Sequence, residues 1–119
     1  MNKEVLKKRT KHFALMIISL VEELPDSKAG RTIGNQVIRS GTSIGVNYRS
    51  ACRSRSNADF IFKITIVEEE CDETLYWLEL IEEAKLIRAE SLRDVMKEAD
   101  EPTAIFTASG RTAKMNKLR

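Results

Sequence analysis

From Phe60 to Leu78 the apolar and small side chains recur in alternating steps of four and three: Phe60, Ile64, Val67, Cys71, Thr74 and Leu78. An α-helix puts residues so spaced on one face, because seven positions at about 100° each nearly complete two turns. The helix has a marked start. "SNAD" reads as a capping box, with Ser56 as N-cap and Asp59 reaching back to it. A second apolar stripe, Phe62, Ile66, Trp77 and Leu80, lies roughly 120° or more around the same helix. A helix buried on one face needs one stripe. Two stripes predict burial on two sides, the second against another subunit, so these four residues form the candidate oligomer interface.

The other segments share the helical period. Leu6, Phe13, Ile17, Leu20 and Leu24 recur through Val5 to Leu24, and Pro25 ends that run. A weaker pattern from Glu90 to about Met115 carries Leu92, Val95, Ala99, Phe106 and Ala113, with Pro102 expected to kink it. No alternating run bounded by turn residues reads as a strand. The fold class predicted is all-α, an antiparallel up-down-up-down four-helix bundle. At 119 residues the chain makes a single domain, 1–119, with basic ends at about 1–4 and 114–119.

The ambiguous stretch is "RSGTSIGVNYRSACRSRS", Arg39 to Ser56, with four arginines, no acid, and nine of eighteen residues Gly, Ala, Ser or Thr. Gly41 and Gly45 cost a helix about 2 kcal/mol relative to alanine, which argues for a loop. Angular sorting argues the other way. On one continuous helix from about Ala29 to Arg53, Ile33, Val37, Ile44, Tyr48, Ala51 and Cys52 share a side, with Gly34, Gly41 and Gly45 at its edge. Asn35, Arg39, Thr42, Arg49, Ser50 and Arg53 take the other side, and Val46 is the exception. The segment therefore reads as a helix whose glycines admit a neighbouring backbone.

Hydrophobic residues at 42% and charged residues at 32% describe a chain that folds. Cys52 and Cys71 sit in helical patterns and read as reduced core thiols of a cytoplasmic protein. The apolar run "FALMIISLV" is too short to span a bilayer. His12, the one histidine, reads as a surface residue. No Cys/His metal spacing and no phosphate-binding or dinucleotide fingerprint occurs, so no cofactor, metal ligand or catalytic residue is assigned. The five carboxylates of "EEECDE", Glu68 to Glu73, point in nearly every direction on a helix. Glu69 and Glu73 do share a face at i, i+4. A metal-dependent enzyme would have to use that pair, and a solvated or intersubunit face is the simpler reading.

Charge position says more than the net charge of +2. In an up-down-up-down bundle the chain start, the second turn and the chain end share a pole. Residues 1–12, 49–63 and 107–119 hold thirteen bases and two acids, a net +11; the remainder holds seven bases and sixteen acids, a net −9. Lys7, Lys8, Arg9, Lys11, Arg49, Arg53, Arg55, Arg111, Lys114 and Lys117 are the candidate nucleic-acid contacts. Such a pole suits phosphate backbones without sequence preference.

The segment "QVIRSGTSIGVNYRSACRSRSNADFIFKITIVEEECDETLYWLELI" resembles the bacterial four-helix-bundle family of 23S rRNA intervening-sequence proteins. The matching positions are Arg39, Ser43, Ile44, Asn47, Arg53 to Ser56, Asp59, Phe60 and Glu73, and the likeness spans roughly residues 10 to 100. Ser50 stands where many members carry an acid, so no role of that acid transfers. The resemblance implies an antiparallel four-helix bundle, commonly a homopentameric barrel. The family includes the accessory variability protein of diversity-generating retroelements, which binds nucleic acid and partners a reverse transcriptase. Two readings follow. The first is a non-enzymatic, homo-oligomeric binding module for RNA or DNA, with five basic poles gathered into a ring. The alternative is an oligomeric scaffold or accessory subunit for a polymerase or reverse transcriptase. Neither involves a membrane.

Overall fold

A computed structural model describes residues 2–100 of the 119-residue chain. Three helices follow in order, α1 at Lys3–Glu23, α2 at Lys28–Cys52 and α3 at Asn57–Glu83. A fourth, α4, begins at residue 89 and continues to residue 100. There is no strand among the described residues. The sequence positions Pro102, Phe106, Ala113, Arg111, Lys114 and Lys117 lie outside them.

Each of the first three helices starts on a side-chain cap. Asn2 Oδ1 accepts from the Val5 amide at 2.9 Å, Ser27 Oγ from Gly30 at 3.0 Å, and Ser56 Oγ from Asp59 at 3.1 Å. Only half of the expected capping box forms at α3. The Asp59 carboxylate turns forward to Lys63 Nζ at 3.1 Å. Asp is one methylene shorter than the Glu or Gln that closes a full box, and a lysine at i+4 offers it a charge.

The helices run antiparallel to their neighbours. On α1 and α2, Thr10 lies against Gly45, Ile17 against Gly41 and Leu24 against Gly34, one number rising as the other falls. Ser40 Oγ of α2 accepts from Thr74 Oγ1 of α3 at 2.9 Å in the buried interior. Residue 9 of α1 pairs with residue 98 of α4, and Ser91 Oγ of α4 donates to Glu23 of α1 at 2.7 Å. The result is the up-down-up-down bundle, with connections of a few residues.

The glycine-rich stretch is helical from Arg39 to Cys52, and its glycines are packing positions. Val37, Ile44, Tyr48 and Ala51 are buried, while Val46 is 68% exposed. At the α1–α2 turn a side chain on Gly30 would overlap the Pro25 carbonyl oxygen, so the chain can double back there only over a bare Cα. The α3–α4 turn is closed differently. The Leu86 amide donates to the Ile81 carbonyl at 3.1 Å, and Lys85 takes a left-handed φ of 55°. This is the helix-ending geometry usually given to glycine.

The core collects one face from each helix: Leu6, Phe13, Ile17 and Leu20 of α1, the α2 set, Ile64, Val67, Cys71, Leu78 and Ile81 of α3, and Leu92, Val95 and Ala99 of α4. Burying each large aliphatic side chain contributes about 1.5–3 kcal/mol. Neither cysteine is in a disulfide; Cys71 is buried and Cys52 half-buried. No described helix is long and apolar enough to cross a membrane.

Candidate nucleic-acid interface

At one end of the bundle, the start of α1, the end of α2 and the start of α3 meet. The close approach of α1 to α2 at Thr10 and Gly45 leaves a shallow groove on the outer side. It is lined by Lys7, Lys11 and Ala14 of α1 and by Thr42, Val46 and Arg49 of α2. Lys7 and Lys11 share a stripe because they are four residues apart. A second hollow continues past the end of α2 and is lined by Val46, Arg49, Ser50, Arg53, Arg55 and Lys63. Val46 and Arg49 border both, so the surface is continuous. Six bases line it and no acid does.

Local structure explains the presentation of these cations. Arg53 is the C-terminal cap residue of α2, and Arg49 lies in its last turn, where positive charge is favoured by the helix dipole. Arg55 lies in the connection that Ser56 ends. Two members of the pole hold local acids: Lys7 Nζ lies 3.3 Å from Glu4 and Lys63 Nζ 3.1 Å from Asp59. Exposed i,i+3 and i,i+4 pairs of this kind are worth a few tenths of a kcal/mol, so an arriving phosphate can displace them. Lys8 and Lys11 are exposed.

Arg9 is placed elsewhere. Its Nε donates to Glu98 Oε1 at 2.6 Å and its Nη2 to Oε2 at 3.3 Å, a two-pronged pair with each side chain 21% exposed. Two residues from Lys7 on a helix is about 200°, so Arg9 turns to α4 while Lys7 and Lys11 turn to α2. The pair was invisible to pattern reading because its partner lies 89 positions away.

The family model described as 23S rRNA-intervening sequence protein matches residues 2–108. The chain belongs to this family. The chain is also similar to a solved structure from Bacteroides thetaiotaomicron VPI-5482, a protein with unknown function from the S23 ribosomal protein family. The two are 33% identical, with a TM-score of 0.84, over 93% of this chain and 99% of that one. Among curated proteins none matches. Neither description names a catalytic activity.

The acidic run of this family member is partly committed to α2. Arg39 Nη1 lies 3.3 Å from Glu70 Oε2, and its Nη2 pairs with Glu73. Glu73 also accepts from the Trp77 indole at 3.3 Å. Among the described residues no group of three or more His, Cys, Asp or Glu side chains is arranged to hold a metal ion. The second stripe of α3 divides. Phe62 is 65% exposed, Ile66 and Leu80 are half-buried, and Trp77 packs partly on the core. The stripe's angle did not separate Trp77 from the others. Tyr76, 55% exposed, also stands on this face, and the stripe read from the sequence did not include it.

Proposed function

We propose that the protein is a non-enzymatic nucleic-acid-binding module that works as a homo-oligomer, pentameric by its family, with RNA as the leading substrate. The observation that supports it is the acid-free surface on which Lys7, Lys11, Arg49, Arg53, Arg55 and Lys63 converge. These side chains carry fixed or near-fixed positive charge and reach a phosphate backbone without reading bases. Arg49, Arg53 and Arg55 also offer forked donors that match phosphate oxygens. Assembly around an axis would multiply this surface and raise avidity.

The test is fluorescence anisotropy on a short labelled RNA from low to moderate salt. Affinity should fall linearly in log K against log[salt]. Replacing Arg49, Arg53 and Arg55 together by Ala should weaken binding to every sequence and flatten the slope by about two to three units per engaged protomer. Glu69→Gln with Glu73→Gln should not weaken it. Absence of binding by the parent at low salt would overturn the reading. The basic pole would then belong to the alternative, a scaffold that meets carboxylates of a protein partner such as a polymerase or reverse transcriptase.

A further inference from the structure

We propose that the basic groove takes a single strand of RNA in preference to a duplex, and that Val46 sets the preference by lying against the flat face of an unstacked base. This rests on the nucleic-acid reading above and names the form of its substrate. Val46 is the apolar residue that falls among the polar ones on α2, and it is 68% exposed. A lone exposed valine is ordinary on a protein surface. This one borders both basic hollows, so any chain that tracks the cations from one to the other passes over it.

The two helices divide the groove into unlike halves. They run antiparallel, with Thr10 of α1 against Gly45 of α2. Counting outwards from that contact sets Lys7 about level with Arg49, and Lys11 and Ala14 about level with the turn from Thr42 to Val46. The half nearer the end of the bundle is therefore cationic from both sides. The inner half has Ala14, Gly45 and Val46 for its wall, with Lys11 alone bringing charge. Phosphates have partners at both ends of this run, and between them lies a carbon surface that no phosphate can use.

Phosphate charge by itself favours a duplex, whose charge density is higher: each contact contributes about 0.9 to the salt slope on duplex DNA and about 0.7 on a single strand. The apolar wall reverses that order. A duplex keeps its base faces stacked on one another. Double-stranded RNA turns outwards either a deep groove that side chains cannot enter or a shallow one lined with 2′-hydroxyls. Against that shallow groove Val46 would strip water from hydroxyls and return no hydrogen bond. A single strand can lay one base on the valine while its flanking phosphates meet Arg49 and Lys11. Every base has such a face, so the contact selects the form of the strand and not its sequence.

The test compares a short labelled oligouridylate with the same oligomer annealed to oligoadenylate, by fluorescence anisotropy at one moderate salt concentration. The parent should bind the single strand more tightly. Val46→Ser should weaken single-strand binding about fivefold, the loss expected when roughly half a valine side chain is no longer covered. It should leave duplex binding and the single-strand salt slope unchanged, because no charge is altered. Val46→Tyr, which supplies a ring to stack on, should tighten single-strand binding alone. Circular dichroism confirms that both variants keep the parent's helix content. A parent that binds the duplex as tightly as the single strand, or more tightly, would overturn this inference. So would a folded Val46→Ser that weakens neither RNA, or both equally. In each of those cases the surface is a plain phosphate track and the nucleic-acid reading stands. A parent that binds neither RNA even at low salt sinks both.

Discussion

Gly41 of α2 lies against Ile17 of α1: a methyl group added at Gly41 would stand 2.9 Å from Ile17 Cγ1 and 3.1 Å from Cγ2. Ile17 is fully buried, so it cannot swing aside into solvent. A helix gains about 1 kcal/mol when glycine becomes alanine, yet overpacking a filled core costs about 1–3 kcal/mol. Gly41→Leu should therefore lower stability by about 1–3 kcal/mol in urea unfolding. Ile17→Ala in the same chain should give back part of the Gly41→Leu loss, a coupling that a double-mutant cycle reads directly. A Gly41→Leu variant as stable as the parent would mean that α1 and α2 are further apart here.

Arg9 and its neighbours on α1 should separate in two assays. Arg9 holds α4 through Glu98, whereas Lys7 and Lys11 face the groove with Arg49. Arg9→Ala should cost about 1–2 kcal/mol of stability, since it strands a half-buried carboxylate. Its effect on the salt slope of RNA binding should be smaller than that of Arg49→Ala. Equal effects of the two on RNA affinity, with no loss of stability for Arg9→Ala, would place Arg9 in the interface after all.

At the end of α3, Lys85 holds φ 55° with a Cβ that this region disfavours. Relief of that conformation is worth about 1 kcal/mol. Lys85→Gly should raise the melting temperature and Lys85→Ala should not, because alanine keeps the Cβ. A fall in melting temperature for the glycine variant would show that the lysine side chain matters more than its backbone.

These residues also show what the sequence could convey. The seam from Phe60 to Leu78 was legible because a buried helix face repeats locally, and α2 was legible because its polar and apolar residues sort by angle despite Gly41 and Gly45. The start of α3 was legible from Ser56. The partnership of Arg9 with Glu98 was not, since nothing local on α1 distinguishes a base that meets α4 from one that meets solvent. Trp77 and Phe62 share a stripe, yet one leans on the core and the other does not. Side-chain size and the reach of the Trp77 indole to Glu73 decide that difference, and periodicity carries neither. At the basic pole the residue types were readable in advance, but their convergence needed the Thr10–Gly45 approach of α1 to α2.

Tyr48 gives a pH signature. Burial, then a hydrogen bond with Cys52, pushes its phenol well above the ordinary value of 10.0. The unfolded chain releases this proton near pH 10 while the folded chain keeps it, so folding stability falls as pH rises above 10. Below pH 10 both states are protonated and the group adds no pH dependence. Tyr48→Phe should reduce the loss of melting temperature between pH 9 and pH 11, after allowing for a constant offset from the missing hydroxyl. An unchanged alkaline slope would mean that the phenol reaches water in the native state.

The one tryptophan of the chain sits at a junction. Its indole N–H donates to Glu73, the same carboxylate that Arg39 of α2 engages, and its ring meets Tyr76 edge-on with centroids 5.3 Å apart. Trp77 is thereby an optical probe placed by the fold itself. Its emission wavelength is tied to the α2–α3 ion pair on one side and, through Tyr76, to the outer surface of α3 on the other. Native fluorescence can thus follow both the loosening of the bundle and the covering of that surface in unlabelled protein, with no dye or added chromophore.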